Sequence, residues 1–368
     1  MAVAPNGTLV MCDRYGFVWH ADAVAPGGKA GPAGPARPPR RIAHLGPGRP
    51  LGFHHDGDGN LLVCMAGGAG LVRLDARTGR VVILAALAHE EGGEAGGEEG
   101  SGGGGTPSPP PPRPPPSPIL YANDLDIDPV DGTVYFTDSA AIQPVRGRAG
   151  FTDTLAAYML SLFQGGKTGR LLAWDPASGE ATVVASGLAY ANGVALLPPD
   201  VPGTPATHAA VVETNAMRVV RVCVRGPGRG RVTPFLGGLP GFPDGLSRAA
   251  PSGPGDRPAL WLALVAPPSP LARWLGPRLV RFVAAWVPRP RLGAWGAVAR
   301  VDAGSGAVLD ALFDLGGARV ASTSAVTDAG GGRLYLGNLN GAYVSVVDVT
   351  AAGGGGEGGE EVGKRDEL

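Results

Sequence analysis

The sequence predicts an all-β fold: a six-bladed β-propeller with a low-complexity insert and a short helical lid insertion. Three observations predict it. A Gly-led strand–turn–strand unit recurs about six times, at intervals of roughly 40 to 70 residues, the range of propeller blades. Apolar runs are short and bounded by Gly, Asp or Asn, with almost no helical periodicity. A radial array has to close on itself, so residues 1–349 read as one continuous domain rather than two.

The units follow in chain order. "GTLVMCDRYGFVWHADA" begins at Gly7 and "GNLLVCMAGGAGLVRLDARTGRVVILAAL" at Gly59. "GTVYFTDS" at Gly132 resumes after an insert as "GRLLAWDPASGEATVVASGL", and "GRLYLGNLNGAYVSVVDV" begins at Gly332. Two looser copies start at His208, "HAAVVETNAMRVVRVCVR", and at Pro258, "PALWLALVAP", the latter followed by "GAVARVDAGSGAVLDALFDL". Each runs through an apolar stretch, turns through polar or Gly positions and enters a second strand that often ends near an Asp.

Three segments fall outside this grammar. Residues 89–117 hold an acidic Gly run and then a Pro run, which cannot bury enough apolar area to offset ordering entropy. They read as a solvated insert between blades. Residues 271–288, "LARWLGPRLVRFVAAWVP", interleave three Arg with Trp, Leu and Phe and read as an amphipathic lid, helical after Pro277. Its expected roles are packing across one propeller face or peripheral contact with a membrane surface. Residues 350–368 form a flexible tail ending in "KRDEL", close to the address that retains soluble proteins in the endoplasmic reticulum lumen. Met1 opens directly on strand-like sequence, so the expectation is an endomembrane protein whose signal segment is missing from this chain. The sequon at Asn6 would suit a lumenal protein, although "PNGT" is first a hairpin turn.

Composition narrows the function classes. The chain has 368 residues, 44% of them hydrophobic, with 31 Lys+Arg against 32 Asp+Glu and a formal charge of -1. With no basic stripe on any strand-like segment, nucleic acid is not an expected partner. Cys12, Cys64 and Cys223 each lie in an apolar run and read as buried free thiols. No stretch reaches the ~18 uninterrupted apolar residues of a membrane span.

The stretch "YANDLDIDPVDGTVYFTDS" from Tyr121 resembles a calcium loop at first sight. The EF-hand pattern fails, because Pro129 stands where the loop needs Gly and Tyr135 where it needs a bidentate Glu. The stretch is instead a hairpin, with Asp126, Asp128 and Asp131 expected to face solvent or neighbouring loops. Its head matters more. "YANDLDI", "YANGVAL" at Tyr190 and "GFPDGLS" at Gly241 each place Asn or Asp before an apolar strand. If each is the first strand of a blade, Asn123, Asn192 and Asp244 converge on the central channel. Convergent amide and carboxylate oxygens suit a hard cation such as Ca²⁺. The competing reading is that each one initiates a turn.

At these phrases the chain resembles the strictosidine synthase-like proteins, including the adipocyte plasma membrane-associated protein, which are related to paraoxonases and other six-bladed calcium-dependent hydrolases. "VVETNAMRVVRV", "LGGLPGFPDGLS" and "GRLYLGN" carry the resemblance further, so that it spans nearly all of residues 1–349. The resemblance implies a central Ca²⁺ on Asn123, Asn192 and Asp244, and Asp124 matches a ligand of a second, structural Ca²⁺. Several positions depart from it. The family's blade-one Glu belongs to a Gly-Pro-Glu phrase upstream of where Met1 begins, Gly245 replaces an Asn, Leu51 stands at a proposed catalytic His, and Ala325 at the synthase's catalytic Glu. Ala325 cannot transfer a proton, which disfavours the condensation chemistry of a true strictosidine synthase.

The function expected from the sequence is calcium-dependent hydrolysis of small esters or lactones, arylesterase-like. Asp244, or His54 and His55 in the entry to blade two, would supply the base. The alternative is a non-catalytic endomembrane propeller with a structural Ca²⁺.

Overall fold

A computed structural model describes residues 1–4, 8–22, 38–90, 114–251, 255–268, 295–317, 322–328, 330, 332–339 and 343–349. They form a six-bladed propeller of antiparallel sheets, each meandering outward from the channel. Blade 1 comprises β1 (Ala2–Val3), β2 (Thr8–Cys12), β3 (Phe17–Asp22) and β4 (Arg40–His44). Blade 2 comprises β5 (Arg49–His55), β6 (Leu61–Ala66), β7 (Gly70–Leu74) and β8 (Val81–Ala85). A small ladder of β9 (Leu87–Ala88) and β10 (Ser117–Pro118) leads into blade 3. That blade holds β11 (Ala122–Ile127), β12 (Val134–Asp138), β13 (Gly169–Trp174) and β14 (Ala181–Leu188). Blade 4 follows with β15 (Ala191–Leu196), β16 (His208–Glu213), β17 (Arg218–Cys223) and β18 (Val232–Leu236). Blade 5 has β19 (Pro243–Arg248), β20 (Ala259–Leu264), β21 (Gly296–Asp302) and β22 (Val308–Asp314). In blade 6 the described strands are β23 (Thr323–Asp328), β24 (Arg333–Asn338) and β25 (Ser345–Asp348).

The six recurring phrases are the second strands of the six blades, β2, β6, β12, β16, β20 and β24, each with the strand that follows. Their burial explains their composition. A second strand has another blade on both of its faces, so β6, β12 and β20 are buried at every residue and read as continuous apolar runs. Hydrophobic clusters fill the gaps between neighbouring blades: Leu62 and Cys64 pack with Leu125 and Phe136, and Leu171 and Val184 with Val194 and Val211. Outer strands such as β22 meet solvent and leave Val308, Leu309 and Phe313 exposed. The recurrent Asp near the end of the third strands also has a cause. Asp75, Asp175 and Asp302 each accept backbone N–H bonds two or three residues on, which builds the hairpin to the outer strand.

One expectation changes. The described α-helix, α1 (Thr154–Gln164), lies between β12 and β13, in the segment the sequence marks only as an insert. Asp153 caps it by accepting from Ala156 N at 3.0 Å, and Gly165 ends it in the left-handed conformation at φ 60°. The lid expected at 271–288 lies outside the described residues, as do most of the low-complexity insert, the sequon Asn6 and the tail. No described helix is long and apolar enough to cross a membrane. The three cysteines are free; Cys64 and Cys223 are buried and Cys12 is half-buried.

Candidate functional site at the channel mouth

Each inner strand of blades 2 to 6 breaks register near its head. The shifts fall between Pro50 and Phe53, Ala122 and Leu125, Ala191 and Val194, Pro243 and Leu246, and Thr323 and Ala325. A bulge releases residues from the ladder and re-aims them. Here it turns Leu51, Asn123, Asn192, Asp244 and Ser324 into one ring around the channel. The strands approach closely beneath that ring. A Cβ on Gly52 would overlap the Asp124 carboxylate, and one on Gly193 would overlap the Asp244 carbonyl and the Leu246 N–H.

Blades 3 and 4 orient their asparagines by the same device. Asn123 Nδ2 donates to Ser139 Oγ at 2.8 Å, and Asn192 Nδ2 donates to Thr214 Oγ1 at 3.0 Å. Each hydroxyl directly follows an acid that ends the second strand. Asp138 accepts from Tyr121 N at 2.7 Å and pairs with Arg170 at 2.6 Å. Glu213 accepts from Ala189 N at 2.7 Å and pairs with Arg218 at 2.5 Å. The acids thus fix the chain as it enters the inner strands, and the hydroxyls engage the amide N–H groups, leaving both Asn Oδ1 atoms as the free acceptors. Thr214 Oγ1 passes its own proton to Pro243 O at 2.8 Å and so ties blade 4 to blade 5 beside Asp244.

Asp244 completes the set. Burial pushes its carboxyl up to about 7, against a polar contact from Asn192 that lowers it, and Asp124 raises it further. Asp124 is likewise raised by burial to about 7, although it accepts from Leu125 N at 3.0 Å and Val194 N at 3.3 Å. Two neutral amide oxygens and a carboxylate form an oxygen donor set of the kind a hard divalent cation takes, and the strain on the buried acids is what such a cation relieves. The residues therefore fit Ca²⁺. Among the described residues no group of three or more His, Cys, Asp or Glu has metal-binding geometry, so any cation here depends on the asparagines.

Above the ring stand three tyrosines. Tyr121 donates to Thr154 O at 2.9 Å and meets Tyr190 edge-on, with ring centroids 5.5 Å apart. Tyr158, carried by α1, meets Tyr190 at 5.0 Å. Burial raises all three hydroxyls, which keeps them protonated. Tyr190 holds φ 63°, a conformation unfavourable for an aromatic residue, stabilised by its carbonyl accepting from Thr214 N.

The comparisons with known proteins agree with this architecture. The family model for strictosidine synthase matches residues 123–227, the span that carries both asparagines and both hydroxyls. The strictosidine synthase-like 2 protein of Arabidopsis thaliana is 28% identical over 244 residues, 62% of this chain and 58% of that one. The adipocyte plasma membrane-associated protein of Salmo salar is 27% identical over 219 residues, 60% of this chain and 42% of that one. This chain is similar to the strictosidine synthase-like proteins over these spans. The matches take in less than two thirds of those relatives' lengths. Among solved structures a gluconolactonase from Xanthomonas campestris aligns over 92% of this chain and 81% of its own, with TM-score 0.54 and 18% identity, a likeness of fold.

The two histidines stand apart from the oxygens of the ring. His54 lies two residues beyond Gly52, one layer and about 7 Å further along the channel. Burial lowers its pKa, and the charges it feels are Asp126, which opposes the shift, and Arg248, rather than Asp244. His55 Nδ1 lies 3.4 Å from Gly59 O, and its Nε2 is buried without a partner. Neither shares the layer of the amide oxygens.

Asp126 and Asp128 depart from expectation outright. They are buried, 3% and 1% exposed, and do not face solvent. Asp126 accepts from Leu196 N at 2.8 Å and pairs with Arg248 at 2.7 Å; Asp128 accepts from Ala206 N at 2.8 Å. They satisfy blade 4 backbone from blade 3. The sequence reading overlooked Ser139, Thr214 and Tyr158. For the two hydroxyls a signal existed: "TDS" and "VET" place an acid and then a hydroxyl at the same strand end.

Proposed function

We propose that the chain is a hydrolase of small esters or lactones working at the channel mouth, with Ca²⁺ held by the Oδ1 atoms of Asn123 and Asn192 and the carboxylate of Asp244. The observation that carries this reading is the paired hydroxyl lock on the two asparagines, which leaves both amide oxygens as acceptors at one level of the channel. When bound, such an ion supplies Lewis-acid polarisation of the ester carbonyl. Asp244 is the one carboxylate in the ring of bulged residues, and its role is to accept the proton of the attacking water. The three tyrosines wall the approach and exclude bulk water from one side; Tyr121 commits its proton to Thr154 O, which leaves Tyr158 to present a protonated hydroxyl to the acyl oxygen. The second, structural ion would draw on Asp124. With Ala325 in place of a Glu, nothing at that position performs the proton transfer of amine condensation. The adipocyte plasma membrane-associated relatives support an association with a membrane or the secretory pathway.

Metal content and phenyl acetate hydrolysis, measured for the wild type and Asn192→Ala with and without chelator, test the reading. Chelator-sensitive hydrolysis lost in the variant is expected; equal activity in all four samples sinks it. The ring also favours a second reading, a non-catalytic propeller whose Ca²⁺ is structural, because Leu51 and Ser324 give it no further acid or base. That reading predicts metal-dependent stability without turnover.

A further inference from the structure

The heads of β11, β15 and β19 form the channel mouth; their tails, at Ile127, Leu196 and Arg248, end at the opposite face of the propeller. There the loops of blades 3, 4 and 5 enclose a cavity of about 420 Å³, within the range that small-molecule sites occupy. Its walls are aliphatic. Val130, Leu196, Leu197 and Leu260 line it with Pro199 and Pro202, and among the described residues none of those lining it is aromatic. A proline brings no backbone N–H to be left unpaired at a dry wall, and its ring cannot swing inward to close the space. Val130, and Val201 beside Pro202, are exposed.

One charged group reaches this cavity with donors to spare. Arg248 lines it, and its Nη2 donates to Asp126 Oδ1 at 2.7 Å and to Ile127 O at 3.4 Å. Asp126 Oδ2 accepts from Leu196 N at 2.8 Å, so the guanidinium is fixed beside Leu196 and the wall that Asp128 begins. Among the described residues Nε and Nη1 of Arg248 have no partner, and the side chain is 47% exposed. The acceptors of the same wall are already engaged. Asp126 also accepts from Ile127 N, while Asp128 accepts from Val130 N and Ala206 N and lies 3.5 Å from Arg225 Nη2. The surplus at this face is therefore of donors, beside an aliphatic space.

We propose that this cavity binds a free aliphatic monocarboxylate, with its chain among Leu196, Leu197 and Leu260 and its carboxylate on the unused nitrogens of Arg248. A charge-assisted bond to a guanidinium favours an anion over a neutral acceptor. An ammonium would find the carboxylates of the wall already engaged, and a flat aryl body would find no ring to pack on. The site lies at the other end of the inner strands from the channel mouth and shares no residue with Asn123, Asn192 and Asp244, so it stands independently of the hydrolase reading.

Calorimetric titrations of the full chain at about pH 7, where a carboxylic acid is ionised, test this with octanoate, 1-octanol, octylammonium and acetate. They are run on the wild type, Arg248→Gln, Thr204→Trp and Asn192→Ala, with circular dichroism to verify folding. Thr204 is exposed on the cavity wall, so a Trp there fills the space without entering the core. The expected result is saturable octanoate binding in the wild type and in Asn192→Ala, weaker binding of octanol, and none of octylammonium or acetate. Arg248→Gln should weaken octanoate about tenfold, equivalent to about 1.4 kcal/mol, and leave octanol unchanged. Thr204→Trp should abolish both. No octanoate binding, equal binding of octanoate and octanol in the wild type, or equal octanoate binding in the wild type and Arg248→Gln each overturns the proposal. Octanoate binding lost in Asn192→Ala and kept in Thr204→Trp would overturn it too, by placing the ligand at the mouth. If Arg248→Gln fails to fold, Thr204→Trp and the octanol comparison decide the matter.

Discussion

Strand β11 carries two kinds of polar residue within six positions, and they serve opposite ends. Near its head, Asn123 is re-aimed by a bulge and its amide is held by Ser139, so that an oxygen remains for something outside the protein. At its tail, Asp126 and the following Asp128 are buried and fully engaged by blade 4 N–H groups and by Arg248 and Arg225. The more acidic end is the structural one. A carboxylate whose lone pairs are already taken by backbone donors is committed to the fold, and the neutral amide retains the capacity to bind.

Four measurements break or sharpen that contrast. The largest effect belongs to the tail. Asp126→Ala strips Leu196 N and Arg248 of their acceptor and is expected to lower unfolding free energy by about 3 kcal/mol in urea titrations, with or without Ca²⁺. If Asn123→Ala costs as much in the metal-free protein, the contrast collapses. Next, Asn192→Ala should abolish calcium stabilisation, about 2.7 kcal/mol at a hundredfold excess over Kd, while changing metal-free stability far less. A Tm series against Ca²⁺ concentration reads this directly. Ser139→Ala and Thr214→Ala release the amides without removing them, and each should weaken Ca²⁺ binding about tenfold in calorimetric titration. An unchanged Kd would mean that the hydroxyls do not orient the site.

The smallest effect is a pH slope at the tail layer. His54 has a folded pKa below its ordinary 6.5 because burial disfavours the imidazolium. The unfolded chain then binds a proton that the folded one refuses, so this contribution is complete above pH 6.5 and is lost as pH falls towards the folded value. The slope reaches at most about 1.4 kcal/mol per pH unit. Asp124 and Asp244 act with the opposite sign. Raised from 3.8 to about 7, they make the metal-free fold less stable as pH rises through that window. The difference in stability between the wild type and His54→Gln isolates the histidine, and a difference that stays flat between pH 5 and 7 would contradict its burial.

The blades were legible in the sequence because a second strand buried on both faces must be apolar throughout, and Gly and Asp mark the turns at either end. The heads "YAND", "YANG" and "FPDG" were legible because three similar phrases precede three inner strands. The orientation of the asparagines was not, since Ser139 lies 16 residues from Asn123 and Thr214 lies 22 from Asn192. Only the pairing of first and second strands brings them together. The inter-blade use of Asp126 and Asp128 was hidden for the same reason, with partners 70 and 78 residues away. Helix α1 escaped notice because its amphipathic pattern is short and sits inside an apparent interruption.

The bulges carry a further consequence. Leu51, Asn123, Asn192, Asp244 and Ser324 stand outside the ladder pairing of their strands, so exchanging their side chains leaves the sheet's hydrogen bonds in place. Replacing Leu51 by His or Ser324 by Glu would alter what the mouth can do to a ligand without asking the blades to repack. Chemistry in this molecule is written on five interchangeable pegs of a wheel whose rim does not register the exchange.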